Sequence, residues 1–376
     1  MGMSLLKCIQ PRALPLQRFS RIKLLLWGMY ILATAQFAGA YYFLESNYLD
    51  YNRFEHGYER LPFQTRLFLA PFLRWADNND HLVHYASRLS ENGYFFPNGI
   101  SPQDIALYFL NIACVLIAGW VAIRLYAAGS QRKLFGELVY PLFLGLCVVT
   151  YVLHTVQNYR FVYDLPNLAL FSIGLYVIYF RKSPLWLCAL FVIATLNRET
   201  SLLLLPFYVL SEALDENGNL QWARMHSGRV LGIVLPLAAY WLIWHLTIFH
   251  LFRENSSEYY PRITFNILTL RSLRYYPQLF SVLGYLPVFL FLYRRRVRDA
   301  QLRVWLWVLP IWLGFMFVWG ILIETRIFGE LVPYVACVGT ILAEEVVAAR
   351  LLNRHSREIS NAYSADDRNH PDAQAA

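Results

Sequence analysis

Ten apolar segments alternate with polar connections along this chain, at roughly 22–44, 104–127, 137–155, 165–181, 184–197, 199–213, 228–250, 277–293, 303–322 and 328–348. Windows such as 228–250 and 304–322 hold almost no charge. In hydrocarbon every backbone N–H and C=O must be satisfied inside the protein, so runs of this kind are helices or barrel strands. The short alternating pattern of a membrane barrel is absent. The pattern therefore predicts an all-α, polytopic transmembrane helical bundle of about 10 spans.

The polar connections fall into two sets. One comprises 1–21, 128–136, 181–183, 214–227, 294–302 and 349–376, and contains Arg132-Lys133, Arg181-Lys182 and Arg294-Arg295-Arg296. The excess of positive charge places this set, and both termini, in the cytoplasm. The other set, 45–103, 156–164, 197–199, 251–276 and 323–327, is then outside. It holds 12 of the 33 basic residues and all 12 are arginine, whereas the four lysines fall on the cytoplasmic side. Arginine's planar fork suits bidentate recognition of phosphate or carboxylate.

Composition agrees with a membrane class. Charged residues make up 15% and hydrophobic residues 57% of the 376, where a soluble domain carries about a quarter charged. The net charge of +8 is split among short loops and forms no stripe, so it reports topology and no nucleic-acid partner is expected. Cys8, Cys114, Cys147, Cys188 and Cys337 show no metal-binding spacing, and four lie in apolar runs. They are read as buried thiols. Arg18, Arg21 and Lys23 precede an apolar run ending near Ala38-Gly39-Ala40, which resembles a signal peptide. The run is too long for a signal core, and is read as a retained first span. One transmembrane domain over 1–350 and a disordered cytoplasmic tail over 351–376 complete the organisation.

The longest outer loop, 45–103, contains a segment in which Leu61, Phe63, Leu67, Phe68, Phe72 and Trp75 recur at near-helical spacing, with Arg66 and Arg74 among them. This predicts a helix lying flat on the membrane surface with snorkelling arginines, kinked at Pro71. Asp50, Glu55 and Glu59 are either a solvated acidic tip or a source of a general base, for which Asp50 is the candidate. Asp164 in the second turn is either a helix N-cap or a second acid beside Arg160. His154 is a candidate proton carrier or simply a hydrogen-bonded helix-end residue. Arg198-Glu199 joins two short apolar runs, either as an ion pair across a tight turn or as the lining of a wet cavity at membrane depth. Glu324, Arg326 and Glu330 sit at the mouth of the last span. Together these turns predict one polar pocket at the outer ends of the spans.

Arranged in this way, the chain resembles integral-membrane glycosyltransferases of the GT-C fold, with a cytoplasmic N-terminus, a long first outer loop and an acid just after the first span. ETRIFGELVP is similar to the E-x-R-x(6)-P run near the last spans of such proteins, here Glu324, Arg326 and Pro333. LPFQTR and ATLNRETSLLLLP are similar to runs in bacterial inner-membrane proteins grouped near that fold. The family's first loop often carries two adjacent acids, whereas Asp50 stands between Leu49 and Tyr51. The resemblance implies transfer of a sugar from a polyprenyl-phosphate donor to a lipid or glycan acceptor, in contact with membrane lipids at the outer face of a bacterial inner membrane. It implies Asp50 as base, Asp164 as second acid, and Arg66, Arg160, Arg198, Glu199, Glu324 and Arg326 as substrate-binding residues. No feature demands a cofactor, although paired carboxylates can hold a divalent metal. The alternatives are a non-catalytic transporter or flippase, or a polymerase-type protein, handling lipid-linked glycans.

Overall fold

A computed structural model of the protein describes residues 16–91, 93, 99–154 and 159–369. Cys8, residues 155–158 of the second outer turn and residues 370–376 of the expected tail lie outside the described residues. The chain enters through helix α1 (Leu16–Leu44) and passes into the first loop, which carries α2 (Tyr51–Glu55), α3 (Ala70–Asp77) and α4 (Asp80–Ser90). Helix α5 (Pro102–Gly129) then begins at a reciprocal cap. The Ser101 hydroxyl accepts from the Asp104 N–H and the Asp104 carboxylate from the Ser101 N–H, with Pro102 in the first turn. Next come α6 (Val139–Tyr151), α7 (Asp164–Tyr179), α8 (Pro184–Asn197), α9 (Leu204–Glu212), α10 (Trp222–Met225) and α11 (Gly228–Leu251). The remainder is α12 (Ile263–Arg271), α13 (Tyr276–Ser281), α14 (Leu286–Leu292), α15 (Ala300–Trp305), α16 (Val308–Trp319) and α17 (Val332–Asn369).

The structure is mostly helical, and among the described residues six stretches are long and apolar enough to cross a membrane. Pro102–Gly129 and Thr325–Leu351 are 56% and 72% buried inside the protein, whereas Gly228–Leu251 is only 11% buried. The first two are thus central, and the third presents nearly all of its apolar surface outward, as a lipid-facing helix does. Helices α5, α7 and α17 pack together at the centre, with α6 against α5 and α17. At Gly119 a Cβ would lie 2.3 Å from the Tyr140 ring, so only glycine lets α5 approach α6 this closely. The apolar segment expected at 277–293 is broken by three consecutive left-handed residues, Leu283, Gly284 and Tyr285 (φ 51°, 66° and 62°), into α13 and α14. Residues 351–369, expected as a disordered tail, continue α17 as a helix. No proline interrupts this stretch before Pro371.

The first loop departs from the expected flat surface helix. Its backbone makes 3₁₀ turns at Phe63–Thr65 and Leu67–Leu69, and Pro71 sits in the first turn of α3 instead of kinking a longer helix. Leu49, Phe54, Phe63, Leu69 and Leu73 form a second small core with Phe161, Val162 and Tyr163. The apolar face is therefore spent largely on protein, leaving Phe68 and Trp75 exposed. Arg66 is buried rather than snorkelling, while Arg74 is exposed. Two short pairings fix this cap to distant chain. Ser46–Asn47 pairs in parallel with Tyr159–Arg160, and Leu61 exchanges backbone hydrogen bonds with Ser256 and Glu258 at 2.9 and 2.8 Å. One end of the bundle thus gathers the first loop with 159–163, 197–203, 255–262 and 320–331. The opposite end gathers 130–138, 294–303 and Glu344-Glu345, joined by the Arg132–Glu345 and Arg298–Glu345 ion pairs.

Candidate functional site

At the first-loop end lies a cavity of about 340 Å³. Its charged lining includes Arg66, Arg198, Glu199, Arg262, Glu324 and Arg326, and its aromatic lining includes Tyr48, Trp241, Tyr259 and Trp319. The Tyr259 and Trp319 rings are stacked, with centroids 5.2 Å apart and planes 11° from parallel. The Trp241 indole N–H donates to the Glu199 carbonyl at 2.9 Å, fixing that ring against the floor.

The charges are organised by one backbone feature. Helix α8 ends at Asn197, whose side-chain amide donates to the Tyr163 carbonyl at 3.1 Å. Arg198 is extended (φ −162°, ψ 144°), and a 3₁₀ segment Glu199–Leu203 follows. In extended backbone successive side chains point to opposite sides. The expected Arg198–Glu199 pair accordingly does not form, and each residue takes a distant partner. Arg198 Nη1 lies 3.1 Å from Asp164 Oδ1 and 3.3 Å from Glu330 Oε1. Glu199 instead accepts from Arg66 Nε at 3.0 Å and from Arg66 Nη2 at 2.5 Å, a bidentate pair. Burial by itself raises the Glu199 carboxyl, but the charge and hydrogen bonds of Arg66 outweigh it and hold its pKa at about 2. Arg326 Nη1 reaches Asp164 Oδ2 at 3.4 Å and Arg326 Nη2 reaches Glu324 Oε2 at 2.5 Å. The Arg326 guanidinium also covers the Phe161 ring, 4.0 Å from its centroid.

Asp164, Arg198, Glu199, Glu324, Arg326 and Arg66 therefore converge as expected, but their roles divide. The Asp164 side chain is fully buried and is taken up by Arg198, Arg326 and the Tyr41 hydroxyl at 3.1 Å. Helix α7 starts there, yet Tyr163 is its N-cap, so the capping role read for Asp164 is not the one it takes. Glu330 is likewise buried and accepts from Thr200 at 2.8 Å and from Asn167. These two acids fix the guanidinium planes from behind. Among the described residues Arg198 Nε and Arg326 Nε have no hydrogen-bond partner although both are buried.

Two expected site residues lie elsewhere. Asp50 is exposed and caps α2, accepting from the Arg53 N–H at 3.2 Å, and it does not line the cavity. It lies beyond the end of α1 at Leu44, where the chain turns into the loop core through Leu49 and Phe54. Arg160 stacks on Tyr42 at 3.6 Å and pairs with Asp104 at 3.7 Å, outside the cavity lining. Glu59, read with Asp50 as a solvated tip, is buried and accepts from the Asp50 and Arg60 N–H groups. His154 meets Gln278 and Thr325 at 3.2 Å each.

The connection 251–276 contributes lining residues that were not singled out. Glu258 is held by Arg60 at 2.6 Å and by the Tyr48 hydroxyl at 3.1 Å. Arg262 stacks on Tyr260 at 3.9 Å and donates to the Glu258 carbonyl at 3.0 Å. Among the described residues it has no carboxylate within 4.0 Å, unlike Arg66, Arg198 and Arg326. Burial, with the Glu199 charge behind it, pushes the Tyr259 hydroxyl up to about 12. The run Glu258-Tyr259-Tyr260-Pro261-Arg262, mixing charge and aromatic rings between two apolar segments, carried the signal. Among the described residues no group of three or more His, Cys, Asp or Glu side chains gathers where it could hold a metal ion.

Comparison with family models, with curated proteins and with solved structures found no match to this chain.

Proposed function

We propose that the protein is a GT-C-type glycosyltransferase of a bacterial inner membrane, with about ten spans, both termini cytoplasmic and its cavity outward. It moves a sugar from a polyprenyl-phosphate donor to a lipid or glycan acceptor. The observation that carries this reading is a cavity that combines a guanidinium, Arg262, with no carboxylate within 4.0 Å among the described residues, with a stacked Tyr259–Trp319 platform. Guanidinium groups match phosphate, and flat aromatic faces match the apolar face of a sugar ring. Helices α11 and α16, which supply Trp241 and Trp319, border the cavity and turn much of their apolar surface outward. A polyprenyl chain in lipid can lie along them while its phosphate enters from the side. Gathering of the buried Arg66, Arg198 and Arg326 pairs at one end favours a site on one face over a path through the membrane, as a flippase requires.

In this reading Arg262 and Arg326 hold the donor phosphate. The acceptor hydroxyl attacks the anomeric carbon with inversion, the carbon–oxygen bond to phosphate breaks, and polyprenyl phosphate leaves with the electron pair. The acceptor proton passes to Glu324. Glu199 is a poor base because Arg66 holds its pKa near 2, and Glu258 is clamped by Arg60 and Tyr48. Among the described residues Glu324 has only Arg326 as ion-pair partner, and a phosphate on Arg326 loosens that hold. Asp164 then positions the two arginines, and Asp50 takes no part. The test is sugar transfer by the purified chain from a panel of polyprenyl-phosphate hexoses and pentoses, with Glu324→Gln and Arg262→Gln beside the parent. Transfer that is lowered by orders of magnitude in the first and weakened in donor affinity in the second is expected. Transfer undiminished in both variants rejects the assignment, and no transfer or polyprenyl-phosphate binding by the parent rejects the function.

A further inference from the structure

The opposite end of the bundle carries a different set of arginines. Arg294, Arg295 and Arg296 form a single 3₁₀ turn after α14. Two recesses flank that turn. One, of about 240 Å³, is lined by Gly218, Asn219, Arg294, Arg295, Arg303 and Trp307. The other, of about 270 Å³, is lined by Tyr293, Arg296, Val346, Ala349 and Arg350. Gly218, at φ +75°, shapes the first. A Cβ there would lie 2.6 Å from the Ala300 methyl, so glycine lets loop 214–220 close one wall.

Among the described residues none of Arg294, Arg295, Arg296 and Arg303 has a carboxylate within 4.0 Å; the ion pairs at this end are those of Arg132 and Arg298 with Glu345. Two acids in the neighbourhood are occupied by other donors. Asp299 accepts from the Leu302 N–H at 2.7 Å and from Tyr179 at 2.8 Å, and Asp215 from Asn219 at 2.8 Å and Gln221 at 3.2 Å. Three of these arginines nevertheless touch neighbouring carbonyls or rings. Arg294 donates to the Phe291 carbonyl at 2.9 Å and covers the Phe291 ring at 4.6 Å, Arg296 covers Tyr293 at 5.2 Å, and Arg303 donates to the Val297 carbonyl at 3.3 Å. In α14, which leads into the turn, Val288, Phe289 and Leu292 are exposed, as are Trp307 and Trp222. Exposed aliphatic surface, then aromatic rings, then unpaired guanidinium groups is the order of layers met on passing from acyl chains to headgroups.

We propose that this end binds an anionic glycerophospholipid, its headgroup phosphate in the Arg294–Arg295–Arg303 recess and its acyl chains along the outward face of α14. The commitment to a lipid over a soluble phosphate comes from that exposed aliphatic face, which a free anion does not use. The inference needs only that the bundle sits in a membrane, and is independent of the sugar-transfer reading.

The test is native mass spectrometry of the full chain in detergent, titrated with phosphatidylglycerol or with phosphatidylcholine. The parent is expected to retain phosphatidylglycerol preferentially. Arg294→Gln and Arg295→Gln should each weaken that retention about fivefold, and Arg295→Gln should do so with melting temperature unchanged, because Arg295 is exposed. Arg132→Gln, which removes a paired arginine at the same end, should leave retention as it was. Equal retention of the two lipids, an equal loss in the Arg132 variant, or displacement of the lipid by an equal concentration of glycerol phosphate would each overturn the proposal.

Discussion

Arginine does opposite work at the two ends of this bundle. At the cavity end Arg66, Arg198 and Arg326 are buried and each is tied to at least one carboxylate. At the other end Arg295 and Arg296 are exposed and without a carboxylate among the described residues. The physical reason is desolvation. A guanidinium removed from water is tolerable only where carboxylates and hydrogen bonds replace the lost hydration. In exchange its plane is fixed before any ligand arrives. An exposed guanidinium keeps its hydration and its rotamers, so it attracts anions without orienting them. One end is therefore built for geometry and the other for charge.

That contrast can be broken in steps. The largest effect is expected at Asp164, which neutralises Arg198 and Arg326 together. Asp164→Asn should cost about 3–5 kcal/mol of stability by leaving buried charge uncompensated, seen as a large fall in melting temperature in detergent. A melting temperature near that of the parent would show that the arginines are held by something else. Glu324→Gln comes next in consequence but should act on activity alone, lowering transfer roughly 10²–10⁴-fold with the melting temperature nearly intact. Arg66→Lys keeps the charge and loses the two-pronged hold on Glu199 and the stacking on Tyr163, whose centroid is 4.1 Å away. A donor affinity lowered about tenfold is expected, and an unchanged value would remove Glu199 from the site. Acidification sharpens the comparison further. Glu199 has a folded pKa lowered to about 2 from 4.5, so its contribution to stability is fully present above pH 4.5 and is lost only as pH falls toward 2. Melting curves between pH 5 and 8 should therefore show no titration that Arg66→Gln abolishes. The smallest effect is expected for Asp50→Asn, since asparagine caps a helix as well as aspartate. Neither transfer nor melting temperature should change, and a large loss of transfer would restore Asp50 as the base.

Much of this arrangement was legible along the chain, because apolar run length and loop charge are local properties. Each of the ten apolar segments is largely helical, and Asp164, Arg198 and Arg326 meet although they are far apart in sequence. What was hidden is set by long-range packing. Arg66 finds Glu199 across 133 positions, and nothing in the spacing LPFQTR distinguishes a residue bound for an ion pair from one lying on lipid. Asp50 and Arg160 have the right chemistry and the right loops, but the small core around Phe54 and Phe161 turns them away from the cavity. Tyr259 and Trp319 become a platform only once 255–262 is clipped to Leu61, a pairing of two backbone hydrogen bonds that no side-chain pattern announces.

The single extended residue at Arg198 has a consequence for how this stretch of chain can change. Because side-chain direction alternates there, deleting or inserting one residue between Asn197 and Thr200 would swap the sides served by the cation and the anion. Like charges would then confront each other at both places at once, Arg198 toward Arg66 and Glu199 toward Asp164 and Glu330. Side chains in this turn can be exchanged one at a time, but its length is locked.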